Sequence, residues 1–217
     1  MYTPASFHEE RLDVLHGLIT AHPLGALVHQ DADGLTADHL PFEIAAPTPE
    51  APFGTLRAHV ARANPLWRTA GVQQDSLVIF QGPHSYITPA WYAEKQASGK
   101  VVPTYNYAVV HGHGPLRAID DPAWLLALVV RLTARHEAQR SMPWAVNDAP
   151  QEYIDKMLKA LVGIEIPLTR LTGKWKLGQN RTAEDQSRMA DGLAASHMPG
   201  AAQALGALMT NEVDQAR

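Results

Sequence analysis

A group of cationic and amide side chains near residue 60 is suited to binding an anion. Arg57 and His59 lie on a predicted strand, Arg62 follows it, and Asn64 begins the next predicted helix. A helix N-terminus offers unpaired N–H groups and a partial positive charge, and arginine adds paired hydrogen bonds to phosphate oxygens. The pattern predicts a phosphate site. It is also typical of an arginine paired with a surface carboxylate and of Asn64 acting as a plain helix cap.

The most basic stretch of the chain precedes a second predicted helix N-terminus. Its polar side chains are Lys174, Lys176, Gln179, Asn180 and Arg181. Cationic groups beside side-chain amides suit a ligand that carries both a phosphate and a heterocycle, whereas a charge run by itself is usually a solvated loop. Both interpretations stay open at this point.

Metal and serine chemistry have weaker signals. His111 and His113 would share one face of a strand, a spacing that zinc sites use, but no HExxH or other complete metal signature accompanies them. Ser76 and Ser85 are not part of a GxSxG motif, so a serine hydrolase is not indicated. No metal site and no catalytic residue is assigned.

Composition restricts the class of protein. The 217 residues are 46% hydrophobic and 18% charged, which is ample for a globular domain with a real core. A formal charge of −4 argues against a general electrostatic nucleic-acid binder. The absence of cysteine excludes disulfides and thiolate chemistry. No apolar run is long enough to span a membrane, so we expect a cytoplasmic protein that does not bind membranes.

Short strands punctuated by Gly and Pro outnumber helices through the first 120 residues. We expect a helix over 6–21, a hairpin with strands at 24–30 and 35–44, and strands over 53–61 and 101–114. Further helices are expected over 121–138, 151–161, 182–195 and 201–213, with a strand over 164–171. This order predicts a small antiparallel barrel or sandwich with helices packed outside. No Rossmann fingerprint or P-loop is present.

The stretch over 77–92 is predicted to be a wall for a flat ligand. An apolar strand at 77–80 would stop at a turn over 81–83, a second extended piece would follow at 86–88, and Pro89 would open a helix. Strand ends rich in Gly, Pro and aromatic residues often hold planar ligands.

Several blocks in order give the chain a family resemblance. They are HLPF at 39–42, GTLRAHVARANPLW at 54–67, FQGPHSYITP at 80–89, VPTYNY at 102–107 and KLGQNR at 176–181. With these blocks the chain resembles the PaiB family of FMN-binding negative transcriptional regulators. It departs from the family at Tyr105 and Gly178, where Trp and Ser are common.

The resemblance implies an α+β, mainly-β fold: a split β-barrel of the FMN-binding type with flanking helices, similar to pyridoxamine phosphate oxidases. It implies a single domain over 1–217, with C-terminal helices beginning near residue 182, and a homodimer with FMN near its interface. It also implies a role in negative transcriptional regulation, with a flavin-dependent oxidoreductase as the alternative. Direct DNA binding stays open because no helix-turn-helix is evident.

The resemblance and the residue patterns together assign the cofactor contacts. Arg62 and Asn64 are the first choice for the phosphate, with Arg57 and His59 beside them, and the stretch over 174–181 is the alternative. His39 and Leu40 would lie along the isoalloxazine ring. The remaining contacts are expected from Gln81, Tyr86, Tyr105, Asn106, Lys176, Gln179, Asn180 and Arg181, the first four closing the site from the same or the other protomer.

Overall fold

Ten strands and six α-helices make up the computed structural model of the chain, which describes residues 1–31, 34–69, 75–195 and 200–215. The strands are β1 His8–Glu9, β2 Leu24–Asp31, β3 Gly34–Pro41, β4 Glu43–Ala45, β5 Thr55–Ala61, β6 Ser76–Ile87, β7 Thr104–Gly114, β8 Arg117–Ile119, β9 Leu161–Pro167 and β10 Arg170–Lys176. The helices are α1 Leu12–Ala21, α2 Glu94–Ala97, α3 Pro122–Glu137, α4 Gln151–Lys159, α5 Ala183–Ala195 and α6 Ala201–Gln215. The predicted mainly-β α+β class is confirmed.

The chain divides into two compact units. One comprises Met1–Leu18, Gln81–Val110 and Thr172–Arg217; the other comprises Ile19–Phe80 and His111–Leu171. The first unit contains neighbouring strands in the order β1-β10-β7-β6, and the second contains β6-β2-β3 and a four-stranded sheet β4-β5-β9-β8. Among the described residues, no helix has the length and apolar character needed to cross a membrane.

The core of the second unit follows from alternation along its strands. Leu56, Ala58 and Val60 are buried on β5, because successive side chains of a strand point to opposite faces. Phe42 and Phe80 are fully buried and pack edge to face, with ring centroids 5.7 Å apart. β3 is an edge strand, as its Pro41 predicts.

Helix α3 covers part of this unit and begins as predicted. The Asp121 carboxylate accepts hydrogen bonds from the N–H groups of Ala123 and Trp124, at 2.8 and 3.3 Å. The indole of Trp124 packs on Gly163 of β9 so closely that a Cβ there would lie 2.4 Å from the ring. Glycine at this position therefore allows the helix to approach the sheet.

Helix α5 of the first unit packs against the segment that contains Trp91 and Ala93. Thr182 caps α5 by accepting a hydrogen bond from Asp185 N, at 3.2 Å, as the sequence predicts. The buried Asp185 carboxylate accepts a further bond from Ala93 N, at 2.9 Å, and Gly192 lies directly against the indole of Trp91. Helix α5 is thus fastened to the segment that precedes β7.

Four predictions of local structure are wrong. The first helix begins at Leu12, since His8 and Glu9 instead pair with Lys174 and Gly173 of β10. The expected turn over 81–83 does not exist, because β6 runs unbroken from Ser76 to Ile87. The expected strand over 164–171 is two strands in different sheets, because β9 ends at Pro167 and β10 begins at Arg170. The return strand expected over 35–44 is likewise divided between β3, which ends at Pro41, and β4 of the other sheet. The expected helix break at 197–200 falls mostly outside the described residues.

Candidate functional site

A cavity of about 140 Å³ in the first unit brings together four of the predicted site residues. It lies between β7, the loop that follows β10, and α5. Its lining residues are Phe7, Tyr92, Thr104, Asn106, Lys176, Gly178, Asn180, Arg181 and Met189. We call it the lysine–arginine pocket.

Lys176 stands at the end of β10 and is held against the start of β7. Its Nζ donates to Thr104 Oγ1 at 2.6 Å and to the carbonyl oxygen of Tyr105 at 2.9 Å. A lysine ammonium has three donors, so these two contacts orient the group and leave a third N–H for a ligand.

The loop after Lys176 is shaped by Gly178 and Gln179. Gly178 has φ +90°, a left-handed conformation that favours glycine, and its carbonyl accepts a hydrogen bond from Arg181 N at 2.8 Å. The Gln179 amide accepts from Leu177 N at 2.9 Å and donates to the Trp175 carbonyl at 2.6 Å. Gln179 therefore builds the loop that presents its neighbours.

Arg181 is positioned by an aromatic ring. Its guanidinium carbon lies 4.6 Å from the ring centroid of Tyr92, within the range of a cation–π contact. Tyr92 is fully buried. Burial raises the pKa of the Tyr92 hydroxyl, and the Asp185 carboxylate raises it further, against the lowering effect of Arg181. The phenol is therefore neutral at physiological pH, and the pocket keeps the positive charge of Arg181.

Asn106 is the polar group in this pocket that most clearly calls for a ligand. Its side chain is 1% exposed, and neither its amide nitrogen nor its amide oxygen has a hydrogen-bond partner among the described residues. Leaving a buried polar atom unpaired costs about 1–3 kcal/mol, and native structures seldom do so. Two cations beside an unpaired amide form a donor set that fits a phosphate group.

A second, more open cavity of about 250 Å³ lies on the opposite face of β7. We call it the tyrosine pocket; Gln81, His84, Tyr105, Tyr107 and Val109 line it. The imidazole of His84 stacks on the ring of Tyr105, with centroids 6.0 Å apart and planes 24° from parallel. Its walls are therefore flat and aromatic. Tyr86 is half exposed and is not part of this lining.

Arg62, the first choice for the phosphate, is engaged within the second unit. Its guanidinium donates to both carboxylate oxygens of Asp120, at 2.6 and 2.9 Å, and to the carbonyls of Lys159 and Leu161, at 2.8 and 2.9 Å. Hydrogen bonding to Asp120 raises the pKa of Arg62, and the same contact lowers the pKa of Asp120. A phosphate at Arg62 would have to compete with this carboxylate.

Asn64 serves as the predicted cap and joins a polar network. Its Oδ1 accepts from Leu66 N at 2.8 Å, and its Nδ2 donates to Asp38 Oδ1 at 2.7 Å. The other Asp38 oxygen lies 3.0 Å from His29 Nε2. This network fixes the turn after β5 without involving Arg62.

Four further residues of the second unit were predicted to contact FMN: Arg57, His59, His39 and Leu40. Arg57 Nε donates to Glu165 at 3.0 Å. His59 pairs across the sheet with Gly163, and burial lowers the pKa of its imidazole. His39 is exposed on β3, and Leu40 is buried opposite Gly25. The assignment of these residues to FMN stays a prediction.

Among the described residues, His111 and His113 do not form part of a larger ligand cluster. Burial lowers the pKa of His111 to about 4, with His113 and Arg170 contributing in the same direction. Within the described part of the chain, no three His, Asp or Glu side chains converge as a metal site would require.

Four residues that line the lysine–arginine pocket were not predicted from the sequence: Phe7, Tyr92, Thr104 and Met189. Thr104 could have been found, because it alternates with Asn106 on the same strand face. Met189 carries no local signal, since a buried methionine on a helix is ordinarily core.

The fold is that of the split-barrel flavin-binding proteins. The structure of the FAD and heme binding protein from Mycobacterium smegmatis matches with a TM-score of 0.57 and 14% identity, over 82% of this chain and 78% of that one. The flavocytochrome Anf3 from Azotobacter vinelandii matches with a TM-score of 0.56 and 14% identity, over 82% and 74% of the two chains. The predicted fold class is confirmed.

The family model described as "Putative FMN-binding domain" matches residues 1–170, and the chain belongs to that family. An uncharacterised protein of Emericella nidulans is 34% identical over 88% of this chain and 90% of its own length. Protease synthase and sporulation protein PAI 2 of Bacillus subtilis is 28% identical over 94% of each chain. The PaiB-type resemblance and the prediction of a flavin cofactor, FMN, are confirmed.

Proposed function

We propose that this FMN-binding protein holds the phosphate of FMN in the lysine–arginine pocket and acts as a transcriptional regulator of the PaiB type. The observation that carries the proposed site is Asn106, whose buried amide has no partner among the described residues and lies in one pocket with Lys176 and Arg181. When bound, FMN supplies reversible electron and hydride transfer.

The chemistry of the pocket supports a phosphate better than any other part of the cofactor. Lys176 and Arg181 offset the charge of a phosphate dianion, and Asn106 offers a neutral donor. Pockets for whole drug-sized ligands usually measure roughly 300–1,000 Å³, so a cavity of about 140 Å³ holds one small group of a larger ligand. The ring system would then lie outside this pocket.

Cofactor uptake tests this assignment directly. The purified protein should show the visible absorption bands of flavin, or take up added FMN with quenching of flavin fluorescence. A colourless protein that takes up no FMN would refute the site. A Lys176→Met variant that binds FMN as tightly as the parent protein would refute the location of the phosphate.

The regulatory role is supported by the PaiB-type relationship. The Bacillus subtilis relative is named for protease synthesis and sporulation. An electrophoretic shift with DNA from the neighbouring promoters, repeated between about 50 and 200 mM salt, tests direct binding, because phosphate contacts make affinity fall steeply with salt. Absence of a salt-sensitive shift would refute direct repression and leave an indirect effect on transcription.

The second candidate is a flavin-dependent oxidoreductase, favoured by the open tyrosine pocket, where a small substrate could approach. FMN-loaded protein should then oxidise a reduced nicotinamide in the presence of an acceptor. No turnover with a range of acceptors would eliminate this candidate.

The homodimer and the cytoplasmic location belong to the same proposal. Sedimentation of the FMN-loaded protein should give about twice the mass of one chain if flavin lies near a dimer interface. A monomer that retains FMN would show that one chain is sufficient for binding. Fractionation of cells tests the location.

A further inference from the structure

We infer that Tyr92 is a ligand-binding residue of the lysine–arginine pocket: its hydroxyl donates a hydrogen bond to the bound phosphate, and its ring holds the Arg181 guanidinium in place. The inference rests on the proposed phosphate site and adds to it a residue with two separate roles. Tyr92 lines the cavity together with Lys176 and Arg181. Each role belongs to a different part of the side chain, so a substitution can remove one role and keep the other.

The hydroxyl of Tyr92 is a donor without an acceptor. Tyr92 is 1% exposed, and its hydroxyl oxygen has no hydrogen-bond partner among the described residues. A phenol carries one O–H donor besides its acceptor lone pairs, whereas arginine is a donor only. Arg181 therefore cannot accept the Tyr92 proton, however close it lies. A buried unpaired donor is rare in native proteins, and a phosphate, whose oxygens are strong acceptors, would satisfy it.

A second buried polar group without a partner reaches the same cavity from another element. Asn106 lies on β7, whereas Tyr92 follows the 3-10 helix Pro89–Trp91. Both residues line the cavity, and both keep side-chain polar atoms unpaired within the described part of the chain. One such residue is a local exception. Two that meet in one cavity from separate segments indicate a polar group that the cavity receives.

The backbone around Tyr92 fixes the position of its side chain. The Tyr92 N–H donates to the Pro89 carbonyl at 3.1 Å, and the Tyr92 carbonyl accepts from Lys95 N at 3.2 Å. The next residue, Ala93, donates from its backbone N–H to the buried Asp185 carboxylate of α5 at 2.9 Å. The phenol therefore comes from a segment that is fastened on both sides, and little ordering is needed when a ligand binds.

The ring of Tyr92 positions the cation. The backbone of Arg181 is held by its own contacts: its N–H donates to the Gly178 carbonyl at 2.8 Å, and its carbonyl accepts from Gln186 Nε2 at 2.9 Å. The guanidinium, at the end of a flexible side chain, lies over the Tyr92 ring, 4.6 Å from the centroid. A cation–π contact is an attraction to the face of the ring and does not need the hydroxyl. Tyr92→Phe should therefore keep Arg181 in place, and Tyr92→Leu should not.

These two substitutions separate the roles. Tyr92→Phe should raise the dissociation constant for FMN by about tenfold, which corresponds to about 1.4 kcal/mol and is near the low end for a hydrogen bond to a charged group. It should leave the melting temperature of the flavin-free protein unchanged or higher, because it removes an unpaired buried hydroxyl. Tyr92→Leu should weaken FMN binding further and make it less sensitive to salt than in Tyr92→Phe, because the guanidinium is no longer held at the phosphate.

Titration of flavin fluorescence gives the dissociation constants, and thermal unfolding gives the melting temperatures. Tyr153→Phe, at an exposed tyrosine of α4, is the matched control and should change neither quantity. Circular dichroism checks that Tyr92→Leu is folded. If it is not, Tyr92→Phe, which differs from the parent protein by one oxygen atom, still tests the role of the hydroxyl.

The combination of the two readouts distinguishes binding from a purely structural role. Weaker FMN binding by Tyr92→Phe without a lower melting temperature supports the inference. Parental FMN affinity in Tyr92→Phe, or a loss accompanied by a lower melting temperature of the flavin-free protein, would overturn the role of the hydroxyl. Equal affinities in Tyr92→Phe and folded Tyr92→Leu would overturn the role of the ring. If Lys176→Met weakens FMN binding and Tyr92→Phe does not, the phosphate site stands and the role of the Tyr92 hydroxyl fails. If neither substitution changes the affinity, the phosphate site itself fails.

Discussion

Lys176→Met is the substitution that most directly tests the proposed phosphate site. Methionine keeps most of the length and apolar volume of the lysine stem but removes the ammonium group. It therefore removes the donor that faces the pocket, together with the contacts to Thr104 Oγ1 and to the Tyr105 carbonyl. The expected result is weaker FMN binding with the fold retained.

The magnitude follows from the kind of contact that is lost. A hydrogen bond to a charged group contributes about 1.5–3 kcal/mol. Since about 1.4 kcal/mol is a factor of ten, the dissociation constant for FMN should rise by roughly 10- to 150-fold. Because Lys176 is only half buried, the electrostatic part is screened, and added salt should weaken binding to the parent protein more than binding to the variant.

Titration of flavin fluorescence at two salt concentrations gives these constants. Lys156→Met, at an exposed position on α4, is the matched control and should bind FMN like the parent protein. Arg62→Ala separates the two candidate phosphate sites, because Arg62 already donates to Asp120 and two carbonyls. Arg62→Ala should lower thermal stability and leave FMN affinity within about twofold. Normal binding by Lys176→Met with strong loss in Arg62→Ala would refute the reasoning and place the phosphate at Arg62.

Three other changes have defined outcomes. Gly178→Ala should weaken FMN binding, because the backbone has φ +90° and an added Cβ would lie 2.6 Å from Met189 Cε. If the contact with Met189 is the cause, the double variant that also carries Met189→Ala should regain part of the affinity. Titration of both variants with FMN checks this. His111 has a pKa of about 4 in the folded protein and about 6.5 in the unfolded chain. The free energy of unfolding should therefore be highest above about pH 6.5 and should fall as the pH drops toward 4. Urea unfolding of the parent protein and His111→Gln at about pH 7.5 and 5 should show a smaller loss in the variant, and equal losses would contradict the assignment. Asp121→Ala should cost about 0.5–2 kcal/mol of stability by removing the cap of α3, and an unchanged melting temperature would show that the cap contributes little.

Helix α3 was predictable because its determinants are local. Asp121 followed by Pro122 specifies the start, and Leu125, Leu128 and Leu132 form the buried stripe. The same holds for the Asn64 cap. Such features depend on residues within a few positions of each other, so the sequence reveals them directly.

Strand β6 was mispredicted because a distant contact determines its glycine. Gly82 beside Pro83 is a local turn signal, but a Cβ at Gly82 would lie 2.7 Å from Leu18 Cδ1 and 3.2 Å from the Ala108 carbonyl oxygen. The glycine is required for close packing of a continuous strand, not for a turn. The contact that requires this glycine is with Leu18, which lies 64 positions earlier in the chain.

The candidate site was predictable in its residue types but not in its grouping. Lys176, Asn180 and Arg181 share a short segment, and the structure places Asn106 beside them. Arg62 has the same chemical character, yet Asp120, which is 58 positions away, occupies its guanidinium. Whether an arginine is available to a ligand depends on such long-range partners, which a single sequence does not show.

The position of β10 bears on how fragments of this chain should be made. β10 lies between β1 and β7, and its residues begin where the family match ends, at residue 170. A fragment that stops at that boundary would leave β7 with an unpaired edge, the arrangement by which strands of separate molecules pair and aggregate. The end of the family-model match therefore falls inside a sheet and is not a place where this chain can be cut. An expression fragment should extend past Met189 to avoid aggregation.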